Sequence, residues 1–258
     1  MSAPPLPVPV YDSAARVPCW VVRGGGSVLA FSTRIGGVSA PPFDTLNLGR
    51  STGDDPQAVA ENRARLLQRL VLGAAALATA GQVHGTRAVR AEAAGLHADC
   101  DALVTTVPGL ALAVTTADCL PIAYAAPGAV AVAHSGWRGT AGGMPRAALE
   151  AVCDAAGIGP DQVRVYLGPS IRSCCYKVGP EVIDQFPAAA RFLRDGSQFL
   201  DLAAAARIDL AGAGVRAEHV FDLEECTACH PARYFSHRRD RGVTGRLWAV
   251  AALAARAS

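Results

Sequence analysis

The spacing of hydrophobic positions changes along the chain, and the changes mark the elements. Over 54–72, "DDPQAVAENRARLLQRLVL", the positions Val59, Arg63, Leu66, Leu67 and Leu70 follow helical spacing. Asp54 or Asp55 can cap this helix, and Pro56 suits its first turn. Short apolar runs with β-branched residues come next: "DALVTTV", "LALAVTT", "LPIAYAA" and "AVAVAHS", each of strand character. Pro108–Gly109 and Pro127–Gly128 punctuate them as hairpin turns. "SVLAFSTR" (27–34) and "VRVYLG" (163–168) read as further strands, with 35–49 a long irregular loop. Residues 140–157 read as a helix after a glycine-rich entry, and helical pieces are expected over 179–194, 199–213 and 246–256. Residues 1–18 form a proline-rich arm, and 19–258 read as a single α/β domain with mixed or largely antiparallel sheets.

Composition narrows the partners. A chain of 258 residues can bury a large core, and a hydrophobic content of 51% excludes a disordered tail. A net charge of +2 leaves no electrostatic footprint for nucleic acid. The first 18 residues lack the basic and apolar regions of a secretory signal. No run approaches the roughly 20 apolar residues of a membrane helix. These features point to a cytoplasmic protein with no membrane partner. There the 8 cysteines are reduced, and read as packing residues, ligands or nucleophiles before disulfides.

Chemistry collects at the ends of the apolar runs. "GQVHGT" carries His84, "TADCLPI" carries Asp118 and Cys119, and "AHSGWRG" carries His134. Strand ends and the loops beyond them display functional groups. Two imidazoles and a thiolate make a three-ligand set for Zn²⁺ with a fourth position left for a reactant. The residues alone equally allow a buried thiol with two structural histidines, or Cys119 as nucleophile with His134 as its base. Asp118 sharpens the question, because burying an unpaired charge is costly.

The segments "TRIGGVS", "NLG", "QVHG", "DALVT", "TADCLPI", "AHSGWRG", "CCY" and "YFSHRRD" occur in the order expected of one family. From about residue 27 to 250 the sequence resembles the laccase-domain, or polyphenol-oxidase-like, proteins. These are also described as purine nucleoside phosphorylase family proteins and in part as peptidoglycan editing factors. The resemblance implies a layered α/β/β/α fold, with His84, Cys119 and His134 as zinc ligands. It implies phosphorolysis of adenosine, inosine, guanosine and methylthioadenosine, and deamination of adenosine. Its partners are then a small nucleoside and phosphate, acting on a monomer or homodimer.

Zinc lowers the pKa of a bound water to about 7, which suits attack on C6 of adenine with loss of ammonia. Asp118 is the candidate for moving protons there. Phosphorolysis needs a cation for phosphate, a role bidentate arginine suits. Arg34, ahead of two glycines, and Arg138, opening a helix, are the candidates; a salt bridge that pins a loop is the plainer reading of each. Asn47 is placed to orient a nucleoside or to cap a turn. Cys175, in the Cys-Cys-Tyr segment, is a candidate for the pocket wall, with packing as its default. His237 and Arg238 lie in a loop that can close over the site, where Arg241 departs from the glycine common in the family. Trp137 and Phe235 are read as core ahead of purine stacking.

Rival functions use the same residues. A cell-wall editing amidase would turn the zinc on an amide carbonyl of a muropeptide precursor. A copper phenol oxidase would need more histidine than the 6 present. A structural zinc clasp in a binding module is the non-enzymatic reading. "CTACH" at 226–230 has the form of a haem-attachment motif without an export signal, and a second zinc there would need ligands from elsewhere.

Overall fold

In the computed structural model, which describes residues 8–73 and 76–254, strands pair before the first helix appears. β1 (Val10–Tyr11), β2 (Cys19–Gly24) and β3 (Ser27–Ser32) form an antiparallel set. The irregular segment over 35–49 leads to α1 (Pro56–Leu70), which Asp55 caps by accepting the N–H of Gln57. There follow β4 (Leu77–Ala80), β5 (Ala88–Arg90), β6 (Gly95–His97) and β7 (Ala102–Thr105). Then come β8 (Ala111–Thr116), β9 (Leu120–Ala126) and β10 (Ala129–Ser135). Next are α2 (Trp137–Ala141), α3 (Met144–Ala156), β11 (Arg164–Leu167) and α4 (Pro180–Ile183). The chain continues with β12 (Arg191–Arg194), β13 (Ser197–Leu200), α5 (Leu202–Gly212), β14 (Val220–Asp222) and β15 (Leu247–Leu253).

Two sheets lie face to face. One runs β1-β2-β3-β15-β8-β4-β6, the other β14-β11-β9-β10-β7-β5, and β12-β13 is a separate hairpin. Alternation along each strand sends one set of side chains between the sheets and the other outward. Leu29, Phe31, Leu112, Val114 and Ala249 of the first sheet meet Leu103, Ala123, Val130, Val132 and Tyr166 of the second. Outside the first sheet, Leu66, Leu67 and Leu70 of α1 cover Val28, Ala30, Trp248 and Val250. Outside the second, Leu149 and Val152 of α3 and Leu210 of α5 belong to the core with Ile122, Tyr124 and Ala131. The layers are α/β/β/α, as the resemblance implies.

Four local expectations give way. The segment 246–256 is not a helix: its described part is β15, between β3 and β8, and residues past 254 lie outside the described ones. Both faces of β15 are buried, so it reads as a continuous apolar run and shows no strand alternation. Within 179–194 only Pro180–Ile183 is α-helical, and Arg191–Arg194 is an exposed strand. The helix expected over 199–213 begins at Leu202, after β13. Pro108–Gly109 is not a hairpin turn: β7 and β8 on either side of it belong to different sheets. Of the arm over 1–18, residues 1–7 lie outside the described ones, and Val10–Tyr11 pair with Trp20 and Val21.

Candidate active site

Three separate pieces of topology bring the candidate ligands together. Pro127–Gly128 does turn a hairpin, and its register sets His134 opposite Pro121 and Ser135 opposite Leu120. Cys119, just ahead of β9, therefore lies beside the end of β10. Parallel pairing of β4 with β8 delivers the loop that follows β4 to the same end. Gln82 then fastens that loop to β8: its Nε2 donates to the Thr115 carbonyl at 2.7 Å, and its Oε1 accepts the Thr115 N–H at 2.8 Å. The donor atoms of His84, Cys119 and His134 all lie within 4.8 Å of one another. The two imidazoles meet edge to face, with ring centres 4.8 Å apart.

Asp101, at the head of β7, holds this arrangement and was not singled out in the sequence. Its side chain is fully buried. One oxygen accepts the Nδ1–H of His134 at 2.8 Å and the backbone N–H of His84 at 3.0 Å. The other accepts the N–H groups of Val83 and Gly85. One carboxylate thus fixes the tautomer of His134, leaving its Nε2 free, and shapes the turn that carries His84. Such outer partners orient metal-ligating histidines. His84 itself has φ of 60°, a left-handed value uncommon outside glycine, and the Asp101 contacts stabilise it.

Burial works against charge on Cys119, but the charge and hydrogen bonds of His134 and His84 outweigh it and bring the thiol down to about 6. Burial likewise disfavours protonated His134, yet the Cys119 thiolate and Asp101 raise it to about 9. Asp101 is held below the usual carboxylate range despite its burial, through His134 and the backbone N–H groups.

The donor set fits a divalent ion. Two imidazoles and a thiolate are donors that both zinc and copper accept, and one imidazole is buried while the other is exposed, so one side faces outward. Gly136 leaves the room: a Cβ there would lie 3.0 Å from the His84 ring and 3.1 Å from the Cys119 sulfur.

The cluster sits in a cavity of about 600 Å³ at the end where β8 passes to the second sheet. Asp118, His237 and Arg238 line it with His84, Cys119 and His134, as do Gly49, Arg50, Arg63, Gln82, Tyr176 and Arg246. Asp118 and Cys119 do not lie inside a strand. They occupy the link between β8 and β9, where Asp118 takes φ of 91°. Its two oxygens accept the Thr227 hydroxyl and the Arg238 N–H, each at 2.6 Å. The loop that follows closes through the Gly242 N–H on the His237 carbonyl, with Arg241 left-handed at φ of 52°.

Four candidates stand elsewhere. Arg34 points its guanidinium at Asp44 and the Pro231 carbonyl and covers the Phe235 ring, so it pins loops away from the cavity. Arg138 folds over Trp137, outside the lining residues but near enough to Tyr176 of the wall for its charge to act on it. Asn47 is fully buried and spends its amide on Thr52, Asp54, Gly49 and Arg246, which leaves nothing for a ligand. Cys175 lies within a separate group of four thiols. Phe235 is fully buried, as its core reading requires.

Two face-to-face sheets between helical layers, with a His–Cys–His cluster in a cleft at their end, define the class: α/β proteins with a three-donor candidate metal centre. The chain belongs to the family described as multi-copper polyphenol oxidoreductase laccase, whose model matches residues 28–254. A protein of Deinococcus radiodurans named purine nucleoside phosphorylase is 44% identical over 231 residues, covering 87% of this chain and 88% of its own. Purine nucleoside phosphorylase YfiH of Escherichia coli is 38% identical over 240 residues, covering 90% and 95%. The crystal structure of YlmD from Geobacillus stearothermophilus superposes with a TM-score of 0.86 at 35% identity, covering 96% of this chain and 100% of that one.

Proposed function

We propose that this protein is a zinc-dependent purine nucleoside phosphorylase that also deaminates adenosine. The observation that carries the reading is a cavity holding both a three-donor candidate metal cluster and arginines that pair with no carboxylate among the described residues. Its size, about 600 Å³, falls in the range of small-molecule sites and leaves room for a nucleoside and phosphate. His84, Cys119 and His134 would hold the metal, which supplies Lewis acidity toward a reactant in the cavity. Zinc is favoured over a multi-copper centre because only two of the 6 histidines belong to a metal-competent group among the described residues.

The phosphate role passes from Arg34 and Arg138 to Arg63, Arg50 and Arg246. Arg63 gives Nε to the Leu48 carbonyl and lies over the Trp248 ring, while its buried Nη1 has no hydrogen-bond partner among the described residues. Burial first, and then the neighbouring Arg50, lower it to about 10. These cations suit a phosphate whose oxygen attacks C1′ of the ribose while the base departs with the bonding electrons. Tyr176, pushed up to about 12 by burial and by the nearby Cys119, stays a hydrogen-bond donor at the wall. Asp118 has both oxygens accepting already, which supports a positioning role for the loop carrying His237 and Arg238 over proton transfer.

The test is product analysis with adenosine in the presence and absence of phosphate. Adenine and ribose 1-phosphate should form only with phosphate, and inosine with or without it. Arg50→Ala, an exposed change, should raise the KM for phosphate about 10- to 100-fold and leave deamination unchanged. Absence of base release with phosphate, with turnover of a muropeptide precursor, would overturn the reading in favour of the amidase.

A further inference from the structure

Away from the cavity, two segments distant in sequence bring four thiols to one point. Cys174 and Cys175 occupy the turn after β11, and Cys226 and Cys229 the turn after β14. All four sulfurs lie within 4.8 Å of one another, with Cys229 at 3.4 Å from Cys174 and 3.3 Å from Cys175, and none is in a disulfide. Four sulfurs at the usual zinc–sulfur distance of about 2.3 Å stand about 3.8 Å apart. The observed distances lie on both sides of that edge, so the group reaches the tetrahedron by small shifts, with Cys229 drawing back slightly from Cys174 and Cys175. Cys226 and Cys229 also supply the C-x-x-C spacing of structural zinc sites, and the other two cysteines are the ligands from elsewhere that this motif lacks on its own.

We infer that Cys174, Cys175, Cys226 and Cys229 form a second, closed metal site that binds Zn²⁺ as a tetrathiolate. The site is separate from the cavity cluster and does not depend on the reaction assigned there. Four protein donors leave no position for a reactant, so its role is to join the two turns. The backbone already brings them together: the Ser170 N–H donates to the Glu225 carbonyl and the Thr227 N–H to the Ser170 carbonyl. The joined segments reach the cavity. Thr227 donates its hydroxyl to Asp118, the Ile171 N–H donates to the Asp118 carbonyl, and Ile171 and Tyr176 line the wall. A metal tying 174–175 to 226–229 would therefore hold one wall of the cavity in register.

The experiment counts metal in protein purified without added metal or chelator. Wild type should carry two zinc equivalents, and both Cys229→Ser and Cys119→Ala one each, lost from different sites. Cys229 is exposed, so its replacement by serine leaves the core intact. A second measurement works on the unmodified protein. Cys174 and Cys229 are exposed, yet should resist iodoacetamide until a chelator strips the zinc, and should then react in step with its removal. Unchanged metal content in Cys229→Ser would overturn the proposal. So would free alkylation of both thiols in the purified protein, or their recovery as a disulfide.

Discussion

Asp101 shows how much a single side chain can organise. It serves His134 and three consecutive N–H groups, so both candidate histidine ligands depend on it. Asp101→Asn keeps the size but turns a donor toward donors. Metal affinity should fall about 10- to 100-fold, read by competition with a chromophoric chelator. An unchanged affinity would mean that His134 and the 83–85 turn hold themselves. His84, Cys119 and His134 drew notice in the sequence because they sit where apolar runs end, and the family resemblance is what made them a candidate ligand set. Asp101 was not, since an acid opening "DALVTTV" looks like any polar residue before a strand. Arg34 misled for a related reason. Two following glycines resemble an anion-binding loop, but the folded chain consumes the guanidinium on Asp44, a partner that no local pattern announces.

At the scale of elements, α1 was readable to its cap, because one face alternates with polar positions at helical period. That face does more than cover the sheet. Asn62 donates to Ser39, Thr45 and Asn47, and Arg63 to Leu48, so α1 fastens the 35–49 segment that leads to Arg50. Leu66, fully buried, anchors the helix against the sheet. Leu66→Ala should cost about 2–5 kcal/mol in chemical denaturation. A loss under 1 kcal/mol would show that α1 packs more loosely than this. β15 was unreadable for the opposite reason: with both faces buried, "LWAVAAL" carries no alternation, and its alanines favour helix in isolation. The Pro127–Gly128 turn, in contrast, sets a strand register by itself, and with it the meeting of Cys119 and His134.

Across the whole molecule, the cavity forms where the chain leaves one sheet for the other. Asp118 and Cys119 lie in that crossing, and β4, parallel to β8, adds the His84 loop. The pairing of the sheets face to face was available only through family resemblance. Strand patterns show which face is apolar, but not which other face will cover it. The central claim is that His84, Cys119 and His134 share one metal ion that keeps a position for a reactant. Anomalous difference maps recorded on either side of the zinc absorption edge, from crystals grown without added metal, test it most directly. The account predicts a zinc peak bounded by those three side chains, with its remaining side turned to the cavity. No peak there, or a fourth protein ligand closing the ion off, would contradict it.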